Sequence, residues 1–335
     1  MKKYLIVTGA NGYLGKYVLA EAVRQNYGVI AFKYDHVRST IIEHPDIEYI
    51  HCDITKDILP QEGIKKITEG KEIAGIINAA ALLGSSDYDA NYAVNAGGVQ
   101  KMIDFANVSG IKKFVQISSV VVLKKIKGPY GITKLEGQKI LEKSSLDYTV
   151  FIPAMILGPE SLGINRVLKN VFRFPVAVPL IGSGKQTQHP IFVKDFARYI
   201  VKSVENPNSR NKVYEIAGDT VISFKNLIRA ILKIRKQQKL FVPLPVFVAS
   251  SLGKFFQATQ KVPVFTAEHV KGILQDSHLN TRQLIVDLDF KPTPLEEALT
   301  FTLKEIGNNW DHFINARPEE VIRLQEVPTA SAKAV

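Results

Sequence analysis

Apolar runs of β type recur through the first half of the chain, at Tyr4–Val7, Val29–Phe32, Ile47–His51, Gly75–Ala79, Lys113–Ile117 and Tyr148–Ile152. Between them Leu14–Gln25, Val94–Ser109 and Gly131–Lys143 repeat apolar residues at helical spacing. Strands separated by helices call for right-handed crossovers, which cover a parallel sheet on both faces. The pattern therefore predicts an α/β chain with a doubly wound parallel sheet. After Pro153 it becomes irregular and proline-rich, and Val213–Ile216 reads as a late strand returning to the sheet. A smaller, discontinuous C-terminal lobe is expected: residues 1–155 with a returning segment near 186–218 form the sheet domain, 156–185 and 219–318 the lobe, and 319–335 a tail. Glu326–Val335, rich in small residues, is expected to be disordered.

At 335 residues the chain allows about two domains, and 46% hydrophobic with 22% charged residues excludes wholesale disorder and collagen-like repeats. Cys52 is the single cysteine, so an internal disulfide and a cysteine-built zinc site are excluded and a reducing, cytoplasmic setting is expected. The apolar run after Met1-Lys2-Lys3 stops at Thr8-Gly9, too soon for an export signal. Net charge is +11, but its excess is local: Lys202 to Lys261 holds eleven cations against three carboxylates. No nucleic-acid motif accompanies it, and His36, His44 and His51 form no spaced pair for a metal.

The first strand runs into Thr8-Gly9-Ala10-Asn11-Gly12-Tyr13-Leu14-Gly15, which opens the first helix. Gly9 permits a tight turn, Gly12 lets a pyrophosphate approach the backbone, and Gly15 lets helix and strand pack closely. Free N–H groups at the helix start then face phosphate. Tyr130 and Lys134, four apart, share a helix face. A phenol ordinarily titrates at ~10 and is a poor base, but an adjacent ammonium lowers that value.

Together these features resemble the short-chain dehydrogenase/reductase superfamily, in its extended and atypical branches. Cys52-Asp53-Ile54 is similar to its adenine-contacting segment, Asn78-Ala79-Ala80-Ala81 to its fourth-strand motif, and Asn95 to its helix asparagine. Tyr130-Gly-Ile-Thr-Lys134 matches the family's Tyr-x-x-x-Lys pair, Pro153–Pro159 its proline segment, and His189–Asp195 a later substrate-facing segment. The resemblance implies a Rossmann fold and an NAD(P)-dependent oxidoreductase or epimerase acting on a carbonyl or hydroxyl. Tyr130 would be its acid/base and Lys134 would serve Tyr130 and the nicotinamide ribose, while Ser118 would stand near the nicotinamide.

Where the family's sugar epimerases carry a substrate-holding serine, this chain has Val120, so Ser119 or Thr133 would have to substitute. Some atypical relatives bind the dinucleotide without turnover, so a structural or regulatory role is the alternative. An acidic side chain ending the second strand favours NAD and a cation favours NADP. Lys33 falls there, with Asp35 and Arg38 close by, so NADP is slightly favoured and NAD stays open.

The substrate expected is a small molecule, either a nucleotide sugar held by Arg166, Lys169, Arg173 and Lys185 or a lipophilic compound. The apolar stretch Leu240–Phe256, too short to span a bilayer, is expected to pack into the lobe; pocket lining or membrane-surface contact beside the basic segment Arg229–Lys239 stays open, as does a homodimer. Thr266–Val270 and Phe290–Glu297, with this stretch, resemble the branch of the complex I accessory subunit and the 3β-hydroxysteroid-dehydrogenase-like proteins.

Overall fold

The structure, a computed structural model, describes residues 1–34, 40–56, 61–259, 270, 272, 274–307 and 320–323. The first half runs β1 (Lys3–Thr8), α1 (Tyr13–Arg24), β2 (Gly28–Lys33), β3 (Thr40–Glu43), β4 (Ile47–His51), α2 (Gln61–Thr68), β5 (Glu72–Asn78), α3 (Tyr88–Tyr92), α4 (Gly98–Val108), β6 (Lys113–Ile117), α5 (Gly128–Glu142) and β7 (Asp147–Pro153). It continues through β8 (Ile156–Leu157), α6 (Leu162–Phe172), β9 (Ala177–Ile181), β10 (Thr187–Gln188), β11 (Ile191–Phe192), α7 (Val193–Lys202) and β12 (Lys212–Ile216). Then come β13 (Ile222–Ser223), α8 (Phe224–Ile234), β14 (Leu240–Leu244), α9 (Val246–Thr259), helices Arg282–Leu288 and Leu295–Ile306, and a short strand Glu320–Arg323.

Seven strands form one parallel sheet in the order β12-β7-β6-β5-β1-β2-β4. The doubly wound expectation holds, and the late strand returns as edge strand β12. Because side chains alternate across a strand, Leu5 and Val7 enter the core under α1 and α7, while Ile6 enters the opposite core under α4 and α5. Both faces being buried explains why these strands read as continuous apolar runs. Strand order reverses between β1 and β5, which opens a crevice at their carboxyl ends.

A third core, with Ile164 and Leu168 of α6, Leu227 and Ile231 of α8 and Leu299 and Leu303 of the last long helix, makes the second lobe. Leu284, Leu288 and Phe290 instead join the sheet core below α7, although their stretch of sequence reads as lobe. Glu320–Arg323, in the expected tail, pairs in parallel with β3; Glu326–Val335 lies outside the described residues.

Candidate active site

Gly9 turns the chain at φ +62°, a conformation L side chains rarely adopt, and a Cβ there would lie 2.8 Å from Ala80 N. The end of β5 is thus pressed against the turn. Gly12 opens α1 with no side-chain cap, and a Cβ on Gly15 would collide with the Gly9 carbonyl oxygen. The first turn of α1 therefore presents bare backbone at the crevice, the arrangement that suits a pyrophosphate. Bare backbone and forbidden Cβ positions fit a dinucleotide.

The neighbouring side chains do other work. Asn11 Nδ2 donates to Tyr34 O at 2.8 Å and Thr40 N donates to Asn11 O at 2.8 Å, so Asn11 pins the end of β2 to the turn. Tyr13 is half-buried against the lobe, its ring 5.9 Å from Tyr17, and desolvation pushes its phenol well above the usual range. Leu14 packs into the sheet core and the lobe core at once. Tyr13 and Leu14 therefore offer a ligand backbone rather than side chains.

Under the turn, Thr8, Asn78 and Gln116 stand in register on β1, β5 and β6. Thr8 Oγ1 donates to Asn78 Oδ1, and Asn78 Nδ2 donates to Gln116 Oε1 at 2.8 Å. This buried chain locks the three strand ends together. Thr8 and Asn78 open segments read from the sequence, Thr8–Gly15 and Asn78–Ala81; Gln116, a polar residue inside an apolar run, lies in neither.

Lys33 ends β2 half-buried, its carbonyl accepting from Cys52 N at 2.8 Å; Asp35, His36 and Arg38 lie outside the described residues. Asp53 accepts from Thr55 N and Oγ1 at 3.0 and 2.7 Å. Burial pushes the Asp53 carboxyl up, but Thr55 and Lys56 outweigh it and hold the group below its ordinary value. Ile54 is buried against Gly98, and Pro153 is buried where β7 pairs with Ile216 of β12.

Asn95 sits in a π-helical turn, Ala93–Gly97, that precedes α4. Its Oδ1 accepts from Leu82 N at 3.1 Å, just after Ala79–Ala81, and its Nδ2 donates to Thr133 Oγ1 at 3.2 Å. The widened turn brings its carbonyl so near α5 that a Cβ on Gly137 would collide with it. Asn95 therefore fastens the strand-end loop to the helix that carries Tyr130.

Helix α5 begins at Gly128, three residues earlier than Gly131, because Pro129 suits a first helical turn. Tyr130 lies in that first turn. Ser119 stands next to the phenol and favours its ionised form. Ser119 thus reaches Tyr130, past the strand end where strict alternation no longer applies.

Thr133 does not substitute: it is buried and its hydroxyl donates to Pro129 O at 2.9 Å. Ser118 Oγ lies 3.1 Å from Gln138 Oε1 of α5, so it braces the helix instead of facing outward.

The expectation that Lys134 lowers the Tyr130 pKa is corrected. Burial pushes the phenol up to about 12, partly countered by Ser119. Lys134 Nζ instead donates to Ile117 O at 2.7 Å, and its own burial pulls it down to about 8. Desolvation penalises the charged form of both groups.

Val120 packs with Ala154, Ala217 and Leu279, giving the corner an apolar wall. Leu279 belongs to a distant segment strapped over the approach to α5. Gln275 Nε2 donates to Ile126 O at 3.1 Å, Lys124 Nζ donates to Ser277 Oγ at 2.6 Å, and Leu279 N donates to His189 Nδ1 at 3.2 Å. With Nδ1 accepting, His189 Nε2 donates to Gly218 O at 3.0 Å, so the ring is neutral and structural. No local pattern in the sequence signals this strap. Of the four cations expected at the substrate, Arg166 approaches Gly84, in the loop after β5, whereas Arg173 lies over the Phe174 ring.

A family model described as the NAD dependent epimerase/dehydratase family matches residues 5–217. The chain belongs to that family. Among relatives, it is 25% identical over 300 residues to mouse "NADH dehydrogenase [ubiquinone] 1 alpha subcomplex subunit 9, mitochondrial", covering 87% of this chain and 77% of the relative. It is 26% identical over 231 residues to an uncharacterized sugar epimerase of Bacillus subtilis, covering 67% and 97%. An epimerase of Methanothermobacter thermautotrophicus shares the fold with TM-score 0.73 and 18% identity over 95% of this chain and 96% of that one. A Bordetella bronchiseptica enzyme solved with NAD gives TM-score 0.69 and 14% identity, covering 95% and 97%. Within the epimerase/dehydratase family, this member pairs the Tyr130–Lys134 spacing with valine beside Ser119.

Proposed function

We propose that the chain is an NAD(P)-dependent oxidoreductase that reduces a carbonyl, or oxidises the matching alcohol, on a small molecule presenting an apolar group to Val120, Ala154, Ala217 and Leu279. The observation that carries this reading is the placement of Ser119 next to the Tyr130 phenol, which keeps a serine at the corner despite the valine at position 120. The backbone of Gly9–Gly15 would hold the pyrophosphate, with Lys33, Asp53 and Ile54 on the adenosine side. When bound, the cofactor supplies or accepts a hydride. NAD in the Bordetella enzyme supports a nicotinamide dinucleotide, and Lys33 supports the phosphorylated form.

A phenol held near 12 keeps its proton at neutral pH, so Tyr130 serves first as a general acid that protonates the developing alkoxide. Ser119 orients the same oxygen. Oxidation needs the phenolate and should accelerate as pH rises. Epimerisation would join one oxidation to one reduction at a single carbon.

A second reading, a non-catalytic dinucleotide-binding subunit, is favoured by Lys134 bonding Ile117 O and by the long similarity to the mouse NADH dehydrogenase subunit. Tyr130→Phe separates the two. With NADPH or NADH and a panel of hydrophobic ketones and nucleotide sugars, the enzyme reading expects kcat to fall by about 10²–10⁴-fold. Cofactor affinity, read by calorimetry, should stay unchanged. A wild-type chain that binds cofactor yet turns over nothing in the panel supports the second reading.

A further inference from the structure

The second lobe carries an apolar face that no described residue covers. β9 and β14 pair in parallel, with Leu240 opposite Ala177 and Leu244 opposite Ile181. Alternation turns Val178 and Leu180 into the lobe core and leaves Leu240 and Val242 outward, while Val176, just before β9, is exposed as well. Val176 is 69% exposed and Leu240 72%.

The face continues without a break. Gly182 N donates to Leu244 O at 2.9 Å, and a Cβ on Gly182 would touch Val246 Cγ2 at 3.6 Å, so the ribbon runs directly onto α9. There Phe247 is 74% exposed. The sequence pattern led us to expect this stretch to pack inward; only part of it does.

Charge around the face is predominantly positive. Residues 161–194 contain five cations and no carboxylate, and residues 220–267 contain eight cations and no carboxylate. Several cations are fixed at the border by aromatic rings: Lys225 and Arg229 lie 5.4 and 5.6 Å from the Phe241 ring, and Lys239 lies 4.9 Å from the Phe172 ring. One nearby acid, Glu296, pairs with Lys233 at 3.8 Å.

We propose that this face docks on an anionic lipid bilayer, with Leu240, Val242 and Phe247 entering the headgroup layer and the bordering lysines and arginines meeting lipid phosphates. Exposed apolar residues ringed by fixed cations match a surface that is apolar within and anionic outside. A second copy matches it poorly, because a two-fold contact would bring two like-charged borders together. No described helix is long and apolar enough to cross a membrane, so contact would stay in the outer layer.

The test uses the full chain and co-sedimentation with phosphatidylcholine vesicles, with and without phosphatidylglycerol. Binding is expected only with the anionic lipid, weakening as salt rises. The paired change Leu240→Ser with Phe247→Ser should lower it by about tenfold or more, with melting unchanged, since both side chains are exposed. Lys225→Glu with Arg229→Glu should lower it comparably, with the fold intact by circular dichroism. No sedimentation with anionic vesicles at low salt overturns the proposal. So does a dimer seen by light scattering that the Leu240→Ser, Phe247→Ser pair dissolves, which would assign the face to a second copy. Neither readout depends on turnover or cofactor.

Discussion

The glycine turn after β1 and the Tyr130 corner after β6 stand at the ends of two strands of one sheet, yet different forces fix them. At the turn, backbone meets backbone: Gly9 and Gly15 have no room for a Cβ, so residue type follows from geometry alone. At the corner, side chains decide. Tyr130, Ser119 and Lys134 take their properties from burial and from which carbonyl or hydroxyl each one finds. A site of the first kind declares itself in sequence; a site of the second kind shows only its members.

The comparison breaks most sharply at Gly9. Gly9→Val adds strain at positive φ to a collision with the Ala80 backbone, and should cost about 4 kcal/mol of unfolding free energy in urea titration. Loss below about 1 kcal/mol would mean the turn yields easily, and backbone geometry would no longer explain its glycines.

That contrast also explains what was legible beforehand. The sheet, its crossovers and the glycine turn follow from burial of the strands on both faces and from steric exclusion, and both leave regular marks. The identities of Tyr130, Lys134 and Ser119 were readable, but not that Lys134 turns to Ile117 O, that Ser118 faces Gln138, or that Asn11 holds Tyr34. Those outcomes depend on tertiary neighbours. The strap from Gln275 to Leu279 was invisible because its partners, Ile126 and His189, lie far away in the chain.

The corner can be sharpened through pH. Lys134 titrates near 8 in the folded chain and ~10.4 when unfolded, so between these values the unfolded state binds more protons and stability rises with pH. Below the folded value both states are charged and the burial cost is fully present. Tyr130 works the other way, but only above its unfolded value of ~10. Wild type should therefore gain about 1–2 kcal/mol relative to Lys134→Met between roughly pH 7 and 9.5, measured by urea unfolding at each pH. Parallel profiles for the two proteins would show that Lys134 is not held in a desolvated place.

The smallest effect tests where the turn's logic ends. Lys33 closes β2, three strand positions from the corner, and nothing steric requires a lysine there. If its charge meets the phosphorylated ribose, Lys33→Asp should lower the NADP-to-NAD affinity ratio by about fivefold, read by calorimetry with both cofactors. The Lys33 carbonyl accepts from Cys52 N at 2.8 Å, a backbone contact that does not use the side chain. A ratio that shifts gives the charge at position 33 a part in cofactor choice. A ratio that stays constant removes Lys33 from cofactor choice and leaves that choice to residues after position 34.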